Sequence, residues 1–290
     1  MTDIAMPLRK EVKRVEERSY IERGFGGKIR TASHSKSNTA VQILLISLVM
    51  ISVYAFLTFD YKEINFADAF FATLQNIKTV FLEPRLTRDT GFGMLYQLFV
   101  TFCLGILATI FGAFFAFFCS LFCARNISFP AVGNVIKSLV AIVRAIPTVL
   151  WVLIFAVSAG LGSVAAVIGL TFHSFAYLTK VYSEAIEEVD EGTIEALRAM
   201  GANFWQIVFQ AIVPSTISYL VAWTFMRFEI NFTNAVAMGA AAGAGGIGFN
   251  LFMAGNFYFD LHEMGFLTYV VIIAVILLEA ISTKIKEHVK

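Results

Sequence analysis

Glu195-Ala196-Leu197-Arg198-Ala199-Met200-Gly201, with Pro214 opening a new apolar run, decides how this sequence is read. It is a polar helical stretch on a loop between hydrophobic segments. The same loop is acidic, with Glu184, Glu187, Glu188, Asp190 and Glu191 ahead of the stretch. Asp190 and Thr193 are residue types that cap a helix start, and early acids suit the positive end of its dipole. Gly201 then ends or bends the helix, and Asn203–Phe209 can form a second short one. Two short helices joined at a glycine, with Ala196, Ala199 and Met200 on one side, make a compact docking knob. A solvated acidic loop is the plainer account of the same residues.

Around this loop the composition is that of a membrane protein. Of 290 residues, 58% are hydrophobic, 15% are charged and 30 are Phe. Soluble domains average about 45–50% apolar and about 25% charged. Six spans can be drawn, at roughly 41–59, 95–122, 138–157, 163–181, 213–235 and 264–281, each near the ~20 residues that cross a bilayer. The first 40 residues carry nine basic side chains from Arg9 to Lys36, too long a basic run for a secretory signal. With that tail in the cytosol, Arg125, Lys137, Lys180, Arg198, Lys284, Lys286 and Lys290 fall on the same side.

The expected organisation is a basic cytosolic tail at 1–40, a first span at 41–59 and an extracytoplasmic segment at 60–90. One membrane domain follows at 91–284, with its cytosolic loop at 184–212, and a cytosolic C-terminal tail at 285–290. The chain is thus expected in the cytoplasmic membrane with both termini inside. The outer segment has room for a short helix at Asn65–Ile77. The basic tail is read as a topology signal, with contact to anionic lipid as a second role.

Residues inside the spans carry further signals. Ala108, Gly112 and Ala116 recur every four positions, which lets another helix approach closely. Pro147 implies a kink or a helix start. Cys103, Cys119 and Cys123 share one apolar run and read as small buried residues rather than disulfide or zinc ligands. A charge facing lipid at mid-helix costs about 2.5–3.5 kcal/mol, so Arg227 and Glu229 are expected to face an interior. They are two residues apart and point to different helix faces, whereas Asn231 shares the face of Arg227. Two roles fit this group: a pathway lining in which Arg227 attracts an oxyanion, or a structural polar network. His173 and His262 have no neighbours at metal-ligand spacing, so packing or hydrogen bonding is the better reading.

Gly243-x-Gly245-x-x-Gly248, with Gly246 inside it, matches the dinucleotide fingerprint letter by letter, and Glu263 lies near the acidic position. That fingerprint needs a preceding strand, a following helix and a soluble βαβ unit, none of them expected between membrane spans. A tight-turning outer segment that packs under a docked protein or lines a gate is expected instead, with plain loop flexibility as the alternative. No phosphate-cradling Gly-x4-Gly-Lys-Ser/Thr occurs, so the chain is not itself an ATPase. No catalytic residue, metal site or nucleic-acid partner is expected.

The spacing Glu195-Ala196-x4-Gly201-x12-Pro214 resembles the coupling-loop signature of ABC importer permeases. That signature reads Glu-Ala-Ala, three residues, Gly, nine residues, Ile-x-Leu-Pro; here Leu197, Ala211 and Val213 stand at three of its apolar positions. Other stretches are similar to the phosphonate-type branch: Cys123-Ala124-Arg125-Asn126, His173, Lys180, Ser183-Glu184-Ala185, Gly201-Ala202-Asn203, Arg227-Phe228-Glu229-Ile230-Asn231 and Gly243–Gly248. Thr233 stands where that branch often has another Arg, a departure that bears on the substrate.

The resemblance implies an all-α membrane protein with six transmembrane helices, the type I ABC importer permease fold and cytosolic coupling helices. It assigns Glu195, Ala196, Gly201, Ala202 and Pro214 to contact with cytosolic ATP-binding subunits. It also implies a second copy of the chain, an extracytoplasmic substrate-binding protein, and ATP and Mg on the partner with no cofactor here. The implied solute is phosphonate or a related phosphorus oxyanion. The same architecture also serves other small solutes, such as methionine or an inorganic oxyanion. An ion-coupled transporter or membrane enzyme using Arg227, Glu229 and His173 as a relay is the reading from another class.

Overall fold

The computed structural model describes residues 36–58 and 65–288. Most of the basic tail expected at 1–40 lies outside these residues, as do 59–64 and 289–290. Every regular element among the described residues is helical. Contacts divide the chain into two units, residues 1–68 and 69–290. The first contains α1 (Lys36–Thr58), long and apolar enough to cross a bilayer. α2 (Phe66–Leu82) begins at the boundary and is longer than the short helix expected there.

The second unit is built on three long helices, α3 (Gly91–Cys123), α6 (Ser163–Glu187) and α9 (Val213–Ala242). Three successive core clusters fix their directions. Leu104 and Ala108 of α3 meet Ala166 and Leu170 of α6 and Ala235, Met238 and Ala242 of α9. Further along, Ala116 meets Leu178, Tyr182 and Leu220. At the far end Leu121 and Ala124 meet Ile186 and Ile212. The order rises in α3 and α6 and falls in α9, so α3 and α6 run parallel and α9 runs against them.

Parallel neighbours require a crossing connection, and α4 (Pro130–Ala145) with α5 (Thr148–Ala159) supplies it. These two helices meet at 92°. The span expected at 138–157, with a kink or helix start at Pro147, is a pair of helices bent at that residue. Ile146 is extended (φ −87°, ψ 125°), the conformation that a following proline imposes, and Pro147 caps the start of α5. With 12 residues, α5 is about 18 Å long and too short to cross alone. The hydropathy continues across the break and conceals it.

The small-residue stripe of α3 faces α6. Ala108, Gly112 and Ala116 are all buried. A Cβ on Gly112 would lie 2.7 Å from the Ser174 Cβ and 3.2 Å from the Phe175 nitrogen, so backbone meets backbone there. Beyond α9, a short α10 (Gly246–Asn256) and a long α11 (Leu261–His288) complete the unit. Met94, Ile247, Ala254 and Leu267 form one cluster, which places the start of α11 beside the start of α3.

At that same end the segment before α3 is tied to α11. The Arg85 backbone N–H donates to the His262 carbonyl (3.1 Å), and His262 Nδ1 donates to the Glu83 carbonyl (2.6 Å). The Thr87 hydroxyl lies 2.5 Å from Asp260 Oδ2, and the Asp89 N–H donates to Glu263 (3.1 Å). The bond from Thr87, aided by backbone N–H donors, holds the Asp260 carboxyl below its usual range.

Two outcomes follow from this packing. Gly112→Ala inserts a methyl group where no space exists and is expected to destabilise by about 1–3 kcal/mol. Gly91→Ala, whose Cβ would meet nothing within 4 Å, serves as the neutral control; thermal denaturation in detergent compares the two. The Asp260 clasp contributes stability above the ordinary carboxylate pKa, about 3.9, and loses it as pH falls through the lower folded value. Hydrogen exchange over 83–90, corrected for the intrinsic rate, should rise below that point and stay flat between neutral pH and about pH 5.

Candidate functional site

Two constellations emerge, one at the end carrying the 184–212 loop and one in the middle of the bundle. In the first, α7 (Glu191–Ala199) starts on Asp190, whose carboxylate accepts the Thr193 N–H at 2.9 Å. It stops at Gly201, which has φ +84°. The Ala202 N–H reaches the Leu197 carbonyl (3.0 Å) and the Gly201 N–H the Arg198 carbonyl (2.9 Å), closing the helix end in a Schellman turn. Asn203 then caps α8 (Phe204–Ile207) by a reciprocal capping box with Gln206.

The knob is anchored from below. Ile194, Ile207, Val208 and Ile212 are buried against Leu121 of α3, Ala124 just past its end and Ile186 of α6, with Leu197 and Ala202 packed beside them. The Arg198 guanidinium donates to the Asn126 carbonyl (3.1 Å), and Asn126 in turn donates to the Ile186 carbonyl (2.7 Å). Glu195, Ala196, Met200, Gly201, Trp205 and Phe209 remain exposed. The surface offered is thus partly apolar, and Trp205 and Phe209 stack to extend it beyond the residues singled out from the sequence.

Pro214 sits at the junction of the knob with α9. Its ring removes one helical N–H and crowds the carbonyl four residues back. The chain responds by widening into a π turn over Val208–Ile212, with the Val213 N–H bonded to the Val208 carbonyl. The knob therefore continues into α9 without an intervening loop.

The second constellation surrounds Arg227, which is 3% exposed. Its Nε donates to Ser174 Oγ (3.0 Å) and its Nη2 lies 2.9 Å from His173 Nδ1. A guanidinium only donates, so this ring nitrogen accepts and the imidazole proton resides on Nε2. The guanidinium carbon lies 5.2 Å from the centroid of Tyr177, within cation–π range. Asn231 is fully buried; its amide donates to Thr109 Oγ1 (2.9 Å) and Ser174 Oγ (2.8 Å). Arg227 and Asn231 share a face, and three helices converge on it. Glu229 is half-buried and takes no part in this network. Among the described residues no carboxylate pairs with Arg227.

Thr109, Ser174 and Tyr177 escaped the sequence reading. A polar residue inside an apolar run was the only available sign, since their partners lie 50 to 122 positions away. His262 bonds backbone at the opposite end from the knob and does not approach His173's group.

The glycine segment is a joint rather than a loop. Gly243 (φ +60°) ends α9, Gly245 (φ +77°) precedes α10, and Gly246 and Gly248 lie within α10. A Cβ on Gly248 would collide with the Val236 carbonyl, and one on Gly246 with the Thr101 hydroxyl. A helix does follow the glycines, contrary to expectation. A helix also precedes them where the dinucleotide fold needs a strand, so that fold is absent here.

Residues 116–289 match the family described as binding-protein-dependent transport system inner membrane component. The chain belongs to this family. It is 32% identical over 153 residues to the phosphate-import permease of Mycolicibacterium smegmatis, covering 52% of this chain but only 29% of that protein. It is 32% identical over 191 residues to a phosphite transport system permease of Stutzerimonas stutzeri, covering 66% of this chain and 69% of that one. A solved inward-facing methionine ABC transporter aligns with 71% of this chain and 100% of its own, at TM-score 0.63 and 23% identity, which shows the type I importer fold. Family members are inner-membrane transport components, and the apolar helices of this chain suit that setting.

Within this transport component, Ser174 is the test of the central network. Ser174→Ala removes the acceptor of Arg227 Nε and one partner of Asn231. The expected cost is about 1–3 kcal/mol for buried groups left unsatisfied, seen as a lower thermal midpoint in detergent. Thr233→Ala, at an exposed position of the same helix, should leave the midpoint unchanged.

Proposed function

We propose that the chain is the membrane-spanning permease of an ATP-driven importer for phosphonate or a related phosphorus oxyanion. Two copies form the pathway, cytosolic ATP-binding subunits seat the α7–α8 knobs, and an extracytoplasmic binding protein delivers the solute at the other end. ATP and Mg belong to the partner. Both termini lie in the cytosol.

The observation that carries the solute class is Arg227. It is a buried guanidinium held by neutral groups, with no acceptor for Nη1 among the described residues. A buried cation without a counter-ion is costly, and a tetrahedral oxyanion matches the guanidinium fork. The phosphate and phosphite permeases among the relatives support the same choice. Glu229 and the glycine segment fit the pathway and its outer gate, in which Gly243–Gly248 clamp α9 and α10 together.

The coupling role rests on rigidity. A push on Glu195, Ala196 or Met200 passes through Ile194 and Arg198 to the ends of α3 and α6, and through the π turn at Pro214 directly into α9. Closure of an ATPase dimer would therefore tilt the helices that hold Arg227.

In proteoliposomes carrying the full transporter, Gly201→Asp and Glu195→Lys are expected to abolish uptake and uncouple ATPase stimulation while the chain still inserts. Gly201 occupies a left-handed conformation that a side chain strains, and Glu195→Lys reverses an exposed charge on the knob. Transport at the parent rate by both would remove the coupling role. The solute class has its own test, calorimetry on the purified binding protein. Phosphonate, phosphite or phosphate should bind; an amino acid binding in their place would replace the solute and leave the architecture standing.

A further inference from the structure

A cavity of ≈ 390 Å³ opens between α4 and α6 at the knob end of the bundle. That volume falls in the range of small-molecule sites, about 300–1,000 Å³. Its walls carry Arg125, Lys137, Arg144 and Lys180 against Glu184 and Glu187. None of these residues hydrogen-bonds Arg227 or lies on the exposed knob surface, although Arg144 and Arg227 share the ring of Tyr177.

The charges are unevenly matched. Lys137 pairs with Glu187 at 2.7 Å, and Glu187 also accepts the Arg125 backbone N–H at 3.1 Å. Lys180 and Glu184 lie 3.5 Å apart on one turn of α6. Both carboxylates are thereby engaged, and the Arg125 and Arg144 guanidiniums have no carboxylate among the described residues. Arg144 lies 5.9 Å from the ring centroid of Tyr177. Four cations against two carboxylates leave the cavity formally at +2.

The walls are also fixed in place. Lys137 and Arg144 stand seven positions apart on α4, and Lys180, Glu184 and Glu187 follow the same periodicity on α6, so two helix faces meet across the cavity. Gly133 seats the start of α4 against the end of α3, where an added Cβ would lie 3.1 Å from the Cys123 carbonyl. Two exposed guanidiniums without a carboxylate among the described residues, on the walls of one concave cavity, suit a planar or tetrahedral oxyanion.

We propose that this cavity binds a phosphate-type oxyanion, with Arg144 and Arg125 as its principal contacts. The group can be a free ion or the headgroup of an anionic lipid, since both present the same oxygens. The site is separate from the pathway reading built on Arg227, so either can fail without the other.

The experiment uses the full chain in phosphatidylcholine nanodiscs, titrated with inorganic phosphate by calorimetry. A second arm replaces part of the lipid with phosphatidylglycerol and measures its retention by mass spectrometry. Binding of either probe is expected to weaken about tenfold or more in Arg144→Gln and Arg125→Gln, to recover partly in Arg144→Lys, and to persist in Arg227→Gln. Phosphate heat in the first arm identifies a free ion; selective retention of phosphatidylglycerol without phosphate heat identifies a lipid headgroup, and both support the site. Thermal midpoints equal to the parent's show that the variants are folded. The proposal is overturned if neither probe binds, or if binding is unchanged in both Arg144→Gln and Arg125→Gln.

Discussion

The contact between Gly112 of α3 and Ser174 of α6 is the constraint on which the rest of the bundle depends. Lipid tails are as apolar as leucine, so helices in a membrane are held by close packing and polar bonds rather than by hydrophobic burial. Gly112 provides the first by admitting the backbone of α6. Ser174, brought in by that approach, provides the second through Arg227 and Asn231 of α9. One small residue thus sets both the spacing of the parallel helices and the placement of a buried cation. If α6 were displaced outward, Asn231 would lose Ser174 and the Arg227 guanidinium would lose an acceptor, at the cost that accompanies unpaired buried polar groups.

From this centre the two ends of the bundle differ in character. At one end the chain is wedged together by the close backbone approach of Gly239 to Gly245 and Gly248, with the Ile247 N–H bonded to Thr101 and the Gly246 N–H to Gln97. At the other, the α7–α8 knob is seated on a cluster drawn from α3, α6 and the π turn. A displacement of the knob reaches three helices at once because its anchors are distributed among them. In the proposed function this distribution of anchors would carry a push on the knob toward the helices that hold Arg227.

Much of this was legible in the sequence, for reasons that vary by element. The long spans declare themselves through apolar length, and the observed starts of α6 at Ser163 and α9 at Val213 match the reading. Apolar length understates the ends, because α6 runs on to Glu187 as a polar helix after its apolar stretch ends. Asp190, Gly201 and Pro214 were readable because caps, left-handed turns and missing N–H groups are local effects. The bend at Ile146-Pro147 was signalled by proline, but its size was not, since hydropathy is blind to angle. Helix α10 was missed because glycines at close helix contacts carry the same letters as glycines in turns. Ser174 and Thr109 are not joined to Arg227 and Asn231 by any local pattern, as only tertiary folding brings them together; His173 is grouped with Arg227 in the sequence only in the relay reading.

In the proposed function, ATP hydrolysis on a partner moves a phosphorus oxyanion through this chain. Accumulation of radiolabelled phosphonate or phosphate by proteoliposomes containing the permease and ATPase, with binding protein supplied outside, tests it most directly. Uptake is expected to require ATP inside the vesicle and to be indifferent to collapse of the proton gradient. Uptake that proceeds without the ATPase and disappears with the gradient would contradict it.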